Sequence, residues 1–466
     1  MTKLILGLGL FSITSGLGYS LSITVEEEPV RAGKSLSAWV RLLKDRDPRT
    51  RIEAAEMLGE FGPKAEPAIP ALVEALNDNS TFVRFAATES LGKVGAAAVP
   101  ALTEALKNEK SKVRSSAAFA LGRIGPAAKA AVPSLAASLR DDKDEYVRGA
   151  AADALGSIGK EASVAVPHLL AALKDPEVRV RVVAAFALWR IANHPTAVSF
   201  LVELLKKGEK GDRIEATETL GKIGAGAKTA VPALVETLKD KDEDVRRCAA
   251  KILGYIGPEA KTAIPALVEV LLDGKERYIC RSNAAQGLSG IGAAAVPVLV
   301  AALKESDQLV RSQSVQALGR IGEGAKPAVG ALGEVLKDKD KDIRQGAAWA
   351  LGQIGQEAKA VIPLLKDLCK DEDERVRTEA VSALWRITKD KALIPVLLEA
   401  LKAKDWMARY RAAETLGEVG PEAKSAVPAL VELVKDKDIS VSRAAAEALQ
   451  QIDPEAAAQA RIKKSN

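Results

Sequence analysis

Imidazole chemistry in this chain rests on two residues, His168 and His194, and thiol chemistry on three, Cys248, Cys280 and Cys369. A zinc site needs three or four N, S or O ligands in fixed geometry. Here 26 residues separate the histidines and neither belongs to an HExxH pattern. The cysteines form no CxxC pair and no closed disulfide framework, so each reads as a small buried hydrophobe. No GxxxxGK[ST] loop is present to cradle a phosphate, and no GxSxG elbow presents a serine. The expectation is a chain with no catalytic residue, no metal ligand and no cofactor, and not an enzyme.

What recurs is charge. An arginine returns at Arg51, Arg84, Arg114, Arg148, Arg181, Arg213, Arg246, Arg281, Arg311, Arg344, Arg377 and Arg409, with Ser442 in a thirteenth place. The mean period is about 33 residues. Asp45, Asp78, Asp142, Asp175, Asp240, Asp338, Asp371 and Asp436 each precede that position by six residues. A guanidinium carries five donors in a rigid fork, suited to bridging carboxylates and helix-end carbonyls. Its return in every unit argues for structure, because a binding residue has no need to repeat.

A second acidic series comprises Glu74, Glu104, Glu203, Glu236, Glu269, Glu334, Asp367, Glu399 and Glu432, broken by Ala137, Ala171 and Ala301. As a ridge it would suit a basic segment of a protein partner. Against that, Glu104 and Lys107, Glu236 and Lys239, Glu334 and Lys337, Glu399 and Lys402, and Glu432 and Lys435 are spaced as i,i+3 helix pairs that serve solubility. Trp189 and Trp385 replace a glycine of the repeated phrase and are expected to fill a widened gap. Trp406, beside Met407, is the candidate exposed anchor.

These positions need a repeated element to hold them. The phrase Val-Arg-x-x-Ala-Ala-x-x-Leu-Gly-x-Ile-Gly, followed by Ala-Val-Pro-x-Leu, divides each unit into two helices. In the seventh unit Val245, Ala249, Ile252 and Leu253 share one stripe. Asp242 is the natural N-cap, and Gly257 ends the helix in a left-handed conformation. Ile264-Pro265 opens the second helix. Two units, from Arg84 and from Arg281, are shorter by the same three loop residues; two others carry Leu-Trp-Arg-Ile. The paired features lie 197 and 196 residues apart, so a block of six units is duplicated and a similar local bend is expected at both places.

At 466 residues the chain exceeds one ordinary core. Its formal net charge of +5, with 28% charged and 4% aromatic residues, gives no basic, aromatic-lined track for nucleic acid. Lys3 precedes an apolar run, Leu4 to Ile13, and small residues follow to Ser22. That pattern describes a secretory signal over 1–22, with an uncleaved anchor or an ordinary peptide as alternatives. A signal would export the protein to the periplasm or cell envelope; without one it is cytoplasmic. Residues 23–34, with Glu26-Glu27-Glu28-Pro29 and Ala32-Gly33, read as a linker.

The phrase from Ser35 to Ile452 resembles the HEAT repeat family, in its Ala/Gly/Pro-rich phycobilisome-lyase-like form. The resemblance implies an all-α, right-handed α-solenoid of about 12 two-helix repeats, first helices convex and second helices concave. It also implies that the Arg and Asp series form a hydrogen-bonded ladder between adjacent units. Ser35 to Lys44, with Trp39, looks like a lone second helix capping one end, and 453–466, with a helix from Pro454 to Ile462, like the cap and tail of the other. The implied function is a protein-binding scaffold, expected to be monomeric. A lyase-like protein acting on a chromophore-bearing partner and a structural envelope protein are the alternatives. One HEAT-family enzyme, deoxyhypusine hydroxylase, binds iron through paired His-Glu motifs; here Leu169 and Pro195 follow the two histidines.

Overall fold

The seventh repeat shows how residue types dictate the unit. Its first helix, Glu243–Ile256, begins where Asp242 accepts a hydrogen bond from the Asp244 backbone N–H. Val245, Ala249, Ile252 and Leu253 are buried along it, on the stripe read from sequence. Gly257 ends it at φ 78°, ψ −146°. The positive φ agrees with the expectation, but ψ corrects it: the backbone enters an extended region open essentially to glycine alone rather than the left-handed helical well. The same glycine geometry ends the first helix at Gly125, Gly159, Gly322 and Gly355. Gly257–Ala263 then runs as short 3-10 turns kinked at Ala260 (φ −93°, ψ 17°), with Ala260 and Ala263 buried, and Ile264–Leu272 follows with proline in its first turn.

The computed structural model describes residues 28–458. The N-terminal apolar run and the end of the C-terminal tail lie outside the described residues. The described chain is all-α apart from one short hairpin and forms two compact units that divide between Ala165 and Val166. The first holds the helix Leu36–Leu42, three complete helix pairs anchored by Arg51, Arg84 and Arg114, and the helix Glu145–Ile158. The second opens on Val166–Ala172, continues with eight pairs anchored by Arg181 through Arg409, and closes with Ile439–Ile452 and helical residues 454–458. Within each unit, first helices pack on the first helices of neighbouring repeats and on the second helix that precedes them. Leucines seven residues after the anchor, Leu58, Leu121, Leu253 and Leu351 among them, are fully buried. Tyr278–Ala302, which holds an 18-residue window of mean hydropathy 1.6, reverses at Gly292 and forms one such hairpin.

The expected linker is corrected in its second half. Val30–Arg31 and Lys34–Ser35 pair antiparallel across a two-residue turn in which Ala32 and Gly33 both have positive φ. The hairpin is pinned by Trp39, which is 1% exposed, donates from Nε1 to the Arg31 carbonyl at 3.1 Å, and lies 4.4 Å beneath the Lys34 ammonium. The cap read around Trp39 therefore includes this hairpin. The two short repeats each have a four-residue 3-10 turn, Gly95–Ala98 and Gly292–Ala295, where complete ones have seven. In the two Trp repeats the terminating residue is Asn193 or Lys389, both in the left-handed region, so these repeats end by a different geometry.

Candidate interaction surface

The arginine fork works as a two-sided clamp. In the repeat of Arg344, Nη1 donates to the Asp338 and Lys339 carbonyls at 3.0 and 3.3 Å, closing the turn before its own helix. Nε and Nη2 meet the Asp371 carboxylate of the next repeat at 2.8 and 3.0 Å. Bidentate rungs of this kind join Arg51 to Asp78, Arg114 to Asp142, Arg311 to Asp338 and Arg409 to Asp436, and Arg213 meets Asp240. The ladder expected between adjacent units is therefore present. Each acid also does a second job, for Asp78, Asp142, Asp371 and Asp436 accept the backbone N–H two residues on, which sets up the next N-cap. Burial opposes ionisation of Asp78 and Asp371, yet the arginine and that N–H hold both carboxyls below the usual range.

The ladder is not uniform. Arg246 takes Glu276, since Lys275 stands at the regular register, and Arg281 takes Asp307 and the Leu271 carbonyl although the register residue, Glu305, is acidic. Arg84 faces Asn108 at that register and turns Nη2 to Thr81. Arg148 holds the Asp142 and Lys143 carbonyls as the others do. At Arg181 and Arg377 the register residues are Lys207 and Ala403, and neither guanidinium has a carboxylate rung among the described residues.

The nine second-helix acids are all exposed, each on the outer side of its helix. Lys44 reaches Glu74 at 2.9 Å, Lys107 reaches Glu104 at 2.8 Å and Lys207 reaches Glu203 at 2.7 Å. Of the five expected i,i+3 pairs, those of Glu104, Glu334 and Glu399 form. Lys239 turns instead to Glu269 of the next repeat, at 3.8 Å, because the neighbouring helix offers an acid in the same row. Glu236, Asp367 and Glu432 stand without an ion pair among the described residues. The surface is thus an acidic row threaded with lysines, at side-chain exposures of 59–78% for the paired acids.

Trp406 opens the helix Trp406–Val419, capped by Asp405, and is 42% exposed, as an anchor requires. Trp385 is buried and stacked beneath the Lys389 ammonium at 3.6 Å, while Trp189 fills the space over Gly226, where an added Cβ would come within 2.1 Å of its ring. Both pack, as expected. His194 accepts the Thr196 N–H as an N-cap. Cys248 and Cys280 are buried; burial, with Glu276 beside it, pushes the Cys280 thiol up to about 12, far from a reactive thiolate. Cys369 departs from the expectation, being only partly buried, with Sγ donating to the Leu365 carbonyl.

One cluster was not read from sequence. Glu379, 1% exposed, meets Arg411 Nε at 2.9 Å between the first helices Glu374–Thr388 and Trp406–Val419. Arg386, from the second Leu-Trp-Arg-Ile phrase, completes the group by pairing with Glu418. The signal lay in the duplicated block: the position 196 residues before Glu379 is Val183.

The described chain matches the family of HEAT repeats over residues 36–122, 99–166, 166–228, 213–289, 264–329, 296–385, 329–407 and 394–460. It is a HEAT-repeat solenoid and belongs to that family. The matching description is HEAT repeats at large and does not name the phycobilisome-lyase-like form. Among solved structures, yeast importin-β (Kap95p) is similar at TM-score 0.59 and 13% identity, over 91% of this chain and 68% of that one. The Kap95:Nup1 complex gives 0.57 and 14%, over 90% and 68%. Importin β in an ammonium sulfate condition gives 0.54 and 16%, over 91% and 67%. At such identities the likeness is one of fold. None of the curated proteins compared matches the sequence significantly.

Proposed function

We propose that this chain is a non-enzymatic scaffold that binds a protein partner along its second helices. The observation that carries this reading is the row Glu203, Glu236, Glu269, Glu334, Asp367, Glu399 and Glu432 in the second unit, exposed on its second helices with one break at Ala301. A row of modest charges favours a basic, extended segment, held by many weak contacts and steered by charge. The solved Kap95 and Nup1 pair shows a related fold bound to another protein. The apolar run at residues 4–13 supports placing this surface on the exported side of the membrane.

The test is affinity capture followed by mass spectrometry, then titration of the captured partner against the chain carrying Glu334→Lys, Glu399→Lys and Glu432→Lys. Affinity should fall more than about tenfold and weaken steeply with salt in the native chain. Undiminished, salt-insensitive binding would remove the acidic row from the explanation.

A further inference from the structure

The broken rungs are more informative than the filled ones. At Arg377, Nη1 closes its own turn as elsewhere, on the Asp371 and Glu372 carbonyls at 2.6 and 2.9 Å. The other edge of the fork, Nε and Nη2, faces the register where Asp78, Asp338, Asp371 and Asp436 sit in other repeats, and there the chain supplies the methyl of Ala403. A cleft of about 340 Å³ opens at that place, with Arg377, Thr378, Ala403 and Val396 among its walls. Two acids, Glu374 and Glu399, and one further cation, Lys402, also line it. Glu374 accepts the Asp405 backbone N–H at 3.1 Å, and Glu399 is paired with Lys402 at 3.0 Å. Arg377 is therefore the cation in the cleft that no carboxylate pairs among the described residues, and Glu374 spends its contact on a backbone N–H.

We propose that this open rung is a docking site for an aspartate or glutamate side chain of a protein partner, which completes the ladder from outside. The chain's own rungs show what fills the position: a carboxylate, taken bidentate by Nε and Nη2, the contact for which a guanidinium fork is shaped. Val396, 47% exposed, offers the apolar wall for the aliphatic stem of that side chain. The other copy of the duplicated block repeats the feature. Arg181 closes its turn on Asp175 and Pro176 at 2.7 and 2.8 Å, and Lys207 stands where the acid would be, itself engaged with Glu203. Every other departure from the register has an internal substitute: Glu276, Asp307 or Thr81. The proposal rests on the protein-binding reading and adds a pole to it: an acidic residue placed beside the segment that meets the acidic row.

The experiment uses the full chain and capped ten-residue peptides carrying one Glu or Asp in a neutral Ala/Leu/Gly background, with Gln or Asn counterparts, read by fluorescence polarisation. The acidic peptide should bind about tenfold more tightly than its amide counterpart. Arg377→Met should erase that preference. Ala403→Asp, which fills the rung from within, should erase it too and raise the melting temperature. Equal binding of acid and amide peptides, or a preference that survives Arg377→Met, would overturn the proposal. So would free succinate competing as well as the peptide, since the site would then take a small carboxylate. A captured partner whose affinity is unmoved by Arg377→Met and Ala403→Asp but lost on reversal of the acidic row would defeat this inference alone.

Discussion

Replacing Arg344 by methionine isolates one rung. The substitution keeps an aliphatic stem in the same space and removes the fork. Asp371 then loses contacts of 2.8 and 3.0 Å on a pair whose side chains are 12% and 9% exposed. Abandoning one partner of a buried ion pair costs about 3–5 kcal/mol. Asp371 keeps the Asp373 N–H at 3.0 Å, and the pair is not sealed, so the expected loss is about 2–3 kcal/mol. Arg377→Met is the matched control. It forfeits the same two backbone carbonyl contacts but strands no carboxylate, and about 1 kcal/mol is expected. Because repeats interact only with their neighbours, the loss should appear as a local opening. Urea denaturation gives the magnitude, and hydrogen exchange should show faster amides in Lys341–Ile354 and Glu374–Thr388 before the rest of the second unit. Adding Asp371→Leu to Arg344→Met should recover most of the loss, since the penalty lies in the stranded charge. Equal destabilisation by Arg344→Met and Arg377→Met, or a double variant worse than the single one, would refute the reasoning.

The same acids set the response to pH. Asp78, Asp142, Asp371 and Asp436 have folded pKa values held below the ordinary range, and Asp373 is lowered to about 2, where burial is outweighed by Lys341, a backbone N–H and Arg375. Their stabilisation is present above the unfolded value of about 4 and is lost as pH falls through the folded values. Thermal melts should therefore collapse between about pH 4 and pH 2; a Tm flat over that window would contradict this. Glu379 runs the other way: burial raises its pKa against the pull of Arg411 and Arg386, so the folded state penalises its carboxylate as pH rises. The Tm of Glu379→Gln relative to the native chain should thus improve from pH 4 to pH 7, and a constant difference would count against it. Gly290→Ala should cost about 1–3 kcal/mol in urea titrations, since its Cβ would lie 2.4 Å from the Gly254 carbonyl oxygen on the facing helix. Gly149→Ala, in the interior of a helix with nothing within 4 Å of the added carbon, should stabilise by about 0.5–1 kcal/mol, and a loss there would show that this helix is not formed as described.

Periodic features were legible because each is written many times. Asp242 as N-cap, the stripe from Val245 to Leu253 and proline in the first turn after Ala263 all follow from local rules that neighbouring repeats restate. The 3-10 course of Gly257–Ala263 was not legible, because it depends on how close Ala260 and Ala263 let the two helices approach. The hairpin at Val30–Ser35 was missed for a related reason: two-residue strands carry no alternation, and tertiary contacts such as those of Arg31 and Lys34 on Trp39 hold them. On the surface, the i,i+3 rule named Lys239 as the partner of Glu236, yet a same-row acid one repeat away was the better placed.

The Asp-x-Asp phrase shows what the regular pattern conceals. In Asp240-Lys241-Asp242 the first acid takes Arg213 and the Asp242 N–H, while the second caps the helix, so one tripeptide fixes both the joint between repeats and the start of the next helix. Where the phrase follows an anchor arginine, at Asp142, Asp240, Asp338, Asp371 and Asp436, its first acid pairs with the arginine of the preceding repeat. Wherever it is lost without a substitute, at Lys207 and Ala403, the preceding repeat carries the Trp phrase and ends its first helix at Asn193 or Lys389 in the left-handed region. Three departures from the pattern therefore fall in the same repeat, and do so in both copies of the block. Independent drift of single residues would scatter such changes among a dozen repeats. Their coincidence is what a local specialisation inherited with the block would leave, and it places the search for a partner at these two repeats before the uniform ones.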